Sequence, residues 1–176
     1  MIRRKAGKPC ADCDGYELIS RSCSLAAMPQ YFAYGSNMCQ QRLIDRIGSF
    51  TVVGIAVLGG HDLKFNKRSA DGSGKANIVI DSTKQVEGIV FAVTPDQLRT
   101  LDGKEPGYHR ENVQVILGGH AEECVTYVAN DDRIADGLQP SHDYLDLIRC
   151  GAAHFQLSDE YQRQLASEPC DDLFAV

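Results

Sequence analysis

Two stretches of this 176-residue chain place reactive groups where a turn or a helix end would hold them. The first is Tyr31-Phe32-Ala33-Tyr34-Gly35-Ser36-Asn37, an apolar strand that runs into a glycine turn ahead of a helical pattern. Backbone N–H groups at a helix start have no intrahelical acceptor and favour an anion such as a carboxylate. The same residues also fit an ordinary strand-to-helix turn in which Ser36 or Asn37 caps the helix. The second stretch is Leu101-Asp102-Gly103-Lys104-Glu105-Pro106-Gly107-Tyr108-His109-Arg110, a loop after a short helix that holds the Glu105 carboxylate against Pro106-Gly107. Such a carboxylate can move protons, and it can equally be a solvated loop glutamate. Neither stretch names a reaction by itself.

Other familiar chemistries are absent. Gly74-Lys75 has the look of a phosphate loop, but Ser69 and Ala76 stand where that pattern needs Gly and Ser/Thr. His61, His109, His120, His142 and His154 show no metal-ligand spacing, and no G-x-S-x-G elbow occurs. Cys39 falls at an apolar helix position, where packing is the expected role. Seven cysteines at irregular spacing imply reduced thiols in a cytoplasm. Cys10 and Cys13 form a single C-x-x-C without the two further ligands that zinc needs, and no metal is expected.

The elements that must position Tyr34, Asn37 and Glu105 are short. A strand at 30–33 breaks at Tyr34, and Cys39, Leu43, Ile44 and Ile47 recur at helical spacing. Strands are predicted at 51–58, 62–66, 76–80 and 85–93, with turn chemistry at Gly59-Gly60 and 71–74. Thr94-Pro95-Asp96-Gln97 is a capping box, with Leu98 and Leu101 facing the core and Gly103 ending the turn. Strands at 112–117 and 122–128 bracket Gly118-Gly119 as a hairpin. Helices follow at 141–150, stopped by Gly151, and at 158–166, capped by Ser158. The sum predicts an α+β fold, a small mixed β-sheet or barrel of about six strands with short flanking helices.

Residues 1–27 carry five basic and three acidic residues and no periodic pattern, and read as a disordered N-terminal extension. The domain at 28–176 then holds 13 basic against 21 acidic residues, a net of −8. That charge argues against a nucleic-acid partner or an anionic membrane. No apolar run reaches the ~20 residues of a spanning helix.

Together the two stretches resemble a family. Tyr31 to Asn37 is similar to the signature of the gamma-glutamylcyclotransferases, which include AIG2-like proteins and antibiotic-processing cyclotransferases. Leu101, Asp102 and Glu105 match the family's L-D-x-x-E, Gly88 to Val93 its G-x-V-(F/W)-x-(V/L) strand, and Pro140, Ser141 and Tyr144 a later motif. The G-Y-G-S-L form of the glutathione-specific branch is missing. The likeness spans about residues 29–167.

The resemblance implies release of 5-oxoproline from a small-molecule gamma-glutamyl substrate, with Glu105 as general base and then general acid. Backbone N–H groups around Tyr34, Gly35 and Ser36 would bind the α-carboxylate or the developing oxyanion. Tyr31, Phe32, Ala33 and Asn37, with Tyr108, Tyr127 and Tyr144, would shape the substrate site. No cofactor is implied, and a homodimer is left open. The substrate is a γ-glutamyl amino acid, or alternatively a γ-glutamyl amine, isopeptide or secondary metabolite, a choice assigned to the segments at 67–75 and 129–140. A ligand-binding relative without turnover is the alternative from another class.

Overall fold

The computed structural model describes residues 28–171. The 1–27 segment and its Cys10–Cys13 pair lie outside the described residues. The elements run β1 (Gln30–Ala33), a 3-10 turn (Ser36–Met38), α1 (Gln40–Ile47), β2 (Thr51–Arg68), β3 (Gly74–Ala92) and α2 (Pro95–Lys104). They continue with β4 (Tyr108–Leu117), β5 (His120–Ala129), a second 3-10 turn (Asp131–Arg133), α3 (His142–His154) and α4 (Asp159–Ser167).

The five strands close into a barrel in the order β1-β3-β2-β4-β5. All neighbours are antiparallel except β1 with β5, which meet in parallel at Tyr31 and Val125. Closure removes the sheet edges that an open five-stranded sheet would leave unpaired. The predicted strand count falls by merger. The segments expected at 51–58 and 62–66 are one strand, and those at 76–80 and 85–93 are another. Gly59-Gly60 is not a turn, because the β2–β3 pairing runs through it. The register shifts there, from Gly59 opposite Gln85 to His61 opposite Ile80, and Gly60 takes φ +72°. A glycine with positive φ is what such a bulge requires.

The core fills the barrel and the layer beneath the helices. Val86 and the run from Ile89 to Val93 are sealed from solvent, so this part of β3 is covered on both faces. The ring of Phe91 packs edge-on to Phe50 at 4.8 Å and to Phe155, just beyond α3, at 6.0 Å. The hairpin of β4 and β5 pairs from Tyr108 with Ala129 to Leu117 with His120, its turn at Gly118-Gly119.

Three helix expectations are corrected. Neither Ser36 nor Asn37 caps α1: a 3-10 turn intervenes, and Cys39 holds the cap position without a side-chain bond. Gly103 does not end α2, which runs to Lys104 and puts Glu105 at its C-cap. Gly151 does not stop α3 either. A Cβ there would fall 2.6 Å from Met38, so the glycine lets α3 press against the 3-10 turn. That contact fixes the turn that carries Asn37.

Candidate active site

Glu105 sits where α2 hands over to β4. The Thr94 capping box starts α2, with the Thr94 hydroxyl accepting from Gln97 N–H and the Gln97 side chain accepting from Thr94 N–H. Gln97 Nε2 also donates to the carbonyls of Ile47 at 3.0 Å and Ser49 at 2.6 Å, tying α2 to the end of α1. Leu98 and Leu101 anchor the buried face of α2. Beyond Glu105 the chain reverses: Tyr108 N–H donates to Glu105 C=O at 3.2 Å, and Gly107 takes φ +82°. Proline second and a left-handed glycine third define a type II turn. The carboxylate therefore projects from a fixed helix end and not from a loose loop.

One carboxylate oxygen is held twice. Asn37 Nδ2 donates to Glu105 Oε1 at 2.9 Å, and Arg46 Nη1 donates to the same oxygen in an ion pair whose side chains are each 16% exposed. Asn37 is fully engaged: its second Nδ2 hydrogen meets Tyr31 Oη at 2.7 Å, and its Oδ1 accepts from Arg46 at 3.0 Å. An amide has two donors and one acceptor oxygen to place, and all are used here. No hydrogen bond among the described residues engages Glu105 Oε2, which is thus open to a ligand.

Tyrosines build the walls. Tyr34 donates to Tyr127 C=O at 2.5 Å, and Tyr108 donates to Ala76 C=O at 2.7 Å. Tyr144 accepts from Ala76 N–H at 3.1 Å. Tyr127 donates to Asp102 Oδ1 at 2.9 Å, and its ring meets Tyr31 edge-on at 5.8 Å. Arg110 grips both oxygens of Asp102 at 2.7 and 2.6 Å, so the Leu-Asp part of the second stretch orients a wall residue. Burial raises the pKa of Tyr31, Tyr34, Tyr108, Tyr127 and Tyr144. Each is a neutral phenol near pH 7.

These walls enclose a pocket of about 30 Å³, lined by Tyr31, Tyr34, Gly35, Ser36, Asn37, Ala76, Glu105, Tyr108, Tyr127 and Tyr144. A second cleft of about 200 Å³ shares Ser36, Glu105, Tyr108 and Tyr144 with it. The structure thus brings together most of the residues singled out from sequence. Phe32 and Ala33 are the exceptions: both are shut into the core, at 0% and 1% exposure, and line neither space. Arg46 was missed. The signal available was its i,i+4 spacing from Arg42 on the helix after the signature turn, two cations close together in an acidic domain.

The 69–73 loop beside the cleft is held by Asp71. Its Oδ1 accepts from the Ser73 N–H and hydroxyl at 3.0 and 2.7 Å, and its Oδ2 pairs with Lys75 at 3.3 Å. Burial alone would raise this carboxyl, but the Ser73 bonds and Lys75 outweigh it and hold the pKa down to about 2. A depressed folded pKa contributes stability above the unfolded value of roughly 4, and that contribution is lost as pH falls toward 2. In urea titrations Asp71→Asn is expected to be less stable than wild type at pH 6 and to converge with it near pH 2. A gap between the two that does not change with pH would contradict this.

Comparison with known proteins points one way. A sequence model of the family described as gamma-glutamyl cyclotransferase, AIG2-like, matches residues 31–146. The chain is 29% identical over 152 residues to the gamma-glutamylcyclotransferase of Bos taurus, covering 80% of this chain and 79% of the bovine protein. A solved gamma-glutamyl cyclotransferase superposes with a TM-score of 0.75 at 28% identity, over 81% of this chain and 89% of its own. YkqA from Bacillus subtilis superposes with a TM-score of 0.71 at 26% identity, over 82% of this chain and 56% of its own longer one.

Proposed function

This chain belongs to the gamma-glutamyl cyclotransferase, AIG2-like family, and from that premise we propose that it converts a γ-glutamyl amino acid or γ-glutamyl amide into 5-oxoproline and a free amine, with Glu105 moving the protons. The observation that carries the reading is a carboxylate lining a tyrosine-walled pocket, one oxygen clamped by Asn37 and Arg46 and the other unengaged.

The substrate's α-nitrogen is an ammonium at neutral pH and has no lone pair to attack with. Glu105 Oε2 takes one of its protons. The freed amine attacks the γ-carbonyl carbon, forming the C–N bond of a five-membered lactam and a tetrahedral oxyanion. The protonated Glu105 then returns a proton to the departing nitrogen, and the oxyanion collapses to the lactam carbonyl as the original γ-amide C–N bond breaks. The ring nitrogen gives its extra proton to Glu105, which passes it to the released amine as that leaves as an ammonium. One carboxylate serves as base and acid in turn, a role worth roughly 10²–10⁴ in rate. Ring closure is intramolecular, so holding the glutamyl chain folded supplies much of the remainder.

The surroundings suit that sequence. Tyr31 Oη accepts from Asn37 and keeps its own hydrogen for a ligand oxygen. The N–H groups of Gly35 and Ser36 open the 3-10 turn, where no intrahelical acceptor exists for them. Glu105 stands where this pocket meets the adjoining cleft.

The test is 5-oxoproline release from γ-glutamyl-alanine, a γ-glutamyl-lysine isopeptide and γ-glutamyl-ethylamide. Turnover of at least one is expected. Binding of all three with no product from any would favour the non-catalytic ligand-binding alternative.

A further inference from the structure

The cleft outside Glu105 is lined by more cations than the chain neutralises. Arg46 is spent on Glu105 and Asn37, and Lys75 is held by Asp71 and Ser73 while lying over the Tyr144 ring at 4.5 Å. Lys67 and Arg42 are different. Lys67 is only 6% exposed, yet among the described residues its ammonium has no hydrogen bond or ion pair, resting 5.0 Å over the Tyr108 ring. Arg42 is half-buried, forms no ion pair among the described residues, and its Nε is sealed from solvent without a partner. Buried cations are normally paired, because an uncompensated charge out of water is costly. Burial accordingly lowers the pKa of both, with Arg46 adding to the effect at Arg42. Two such groups, from α1 and β2, line one cleft that ends at the proposed general base.

We propose that this cleft is the subsite for the amine half of the substrate, that Lys67 and Arg42 each take a carboxylate there, and that the preferred substrates are γ-glutamyl compounds of acidic amino acids. The inference rests on the cyclotransferase reading above and names its substrate class. A single carboxylate would leave one of the two cations still uncompensated, whereas an amine half with two carboxylates satisfies both.

The decisive measurement is kcat/KM for 5-oxoproline release from γ-glutamyl-glutamate, γ-glutamyl-alanine and γ-glutamyl-ethylamide, whose leaving halves carry two, one and no carboxylates. Wild type is expected to prefer the first over the last by at least ~10-fold, the scale of one charge-assisted hydrogen bond. Lys67→Met and Arg42→Met should each shrink that ratio toward one, chiefly by raising KM for γ-glutamyl-glutamate. Arg42 is half-buried, so its variant and the wild-type ratio still decide the matter if Lys67→Met does not fold. A wild-type ratio near one overturns the subsite and leaves the cyclotransferase reading standing. So do variants that weaken all three compounds alike, which would place the cations on the glutamyl carboxylate common to them. Silence toward all three compounds with turnover of the γ-glutamyl-lysine isopeptide overturns the subsite alone, and silence toward the isopeptide as well removes both readings.

Discussion

Glu105→Gln is expected to cut 5-oxoproline release by at least ~10² while leaving the fold intact. Glutamine keeps the length and shape of glutamate, and its carbonyl oxygen can still accept from Asn37 and Arg46 where Oε1 does now. What it loses is the ability to take a proton from the substrate ammonium and to return one to the leaving nitrogen. The residual rate would reflect the folded substrate held in place, since proximity survives the substitution. Product formation and a thermal melt on the same preparation check both halves of the expectation. Near-normal turnover in Glu105→Gln would overturn the assignment. If Ser36→Ala were inactive and Glu105→Gln active, acyl transfer through the Ser36 hydroxyl would replace it.

Local signals in the sequence were legible because their physics is local. The Thr94-Pro95-Asp96-Gln97 box starts a helix wherever it stands, and Gly118-Gly119 between alternating strands makes a hairpin. The candidate glutamate was visible for a different reason: the resemblance linked Asn37 and Glu105, which the fold brings to 2.9 Å across 68 residues. What stayed hidden depends on distant partners. Gly59-Gly60 has turn chemistry, yet continued pairing with β3 makes it a bulge. Gly151 looks like a helix stop, and only the approach of Met38 explains it. Gln97 completes its cap as expected, but its grip on Ile47 and Ser49, which ties the Glu105 helix to the Arg46 helix, has no sequence signature. Phe32 and Ala33 lie inside the signature, and spacing alone could not tell core positions from pocket positions there.

Arg46→Met should lower kcat by ~10², nearly as much as loss of the carboxylate itself, because Arg46 positions the base. Its Nη1 meets Glu105 Oε1 and Asn37 Oδ1 together, and Asn37 in turn bonds both Glu105 and Tyr31. Methionine keeps the apolar stem but frees Glu105 to leave its place at the junction of pocket and cleft. It also leaves a carboxylate only 16% exposed without its counter-charge, so some loss of stability accompanies the kinetic defect. Arg46→Lys should recover only part of the rate: an ammonium can donate to both acceptors, but the lysine side chain is one bond shorter than the path to Nη1, the nitrogen that makes both bonds. The test is a double-mutant cycle on kcat. If Arg46 acts through Glu105, then Arg46→Met in the Glu105→Gln background should cost far less than it does alone. Fully additive losses would show instead that Arg46 contacts the substrate independently, and Glu105 would need another group to hold it in place.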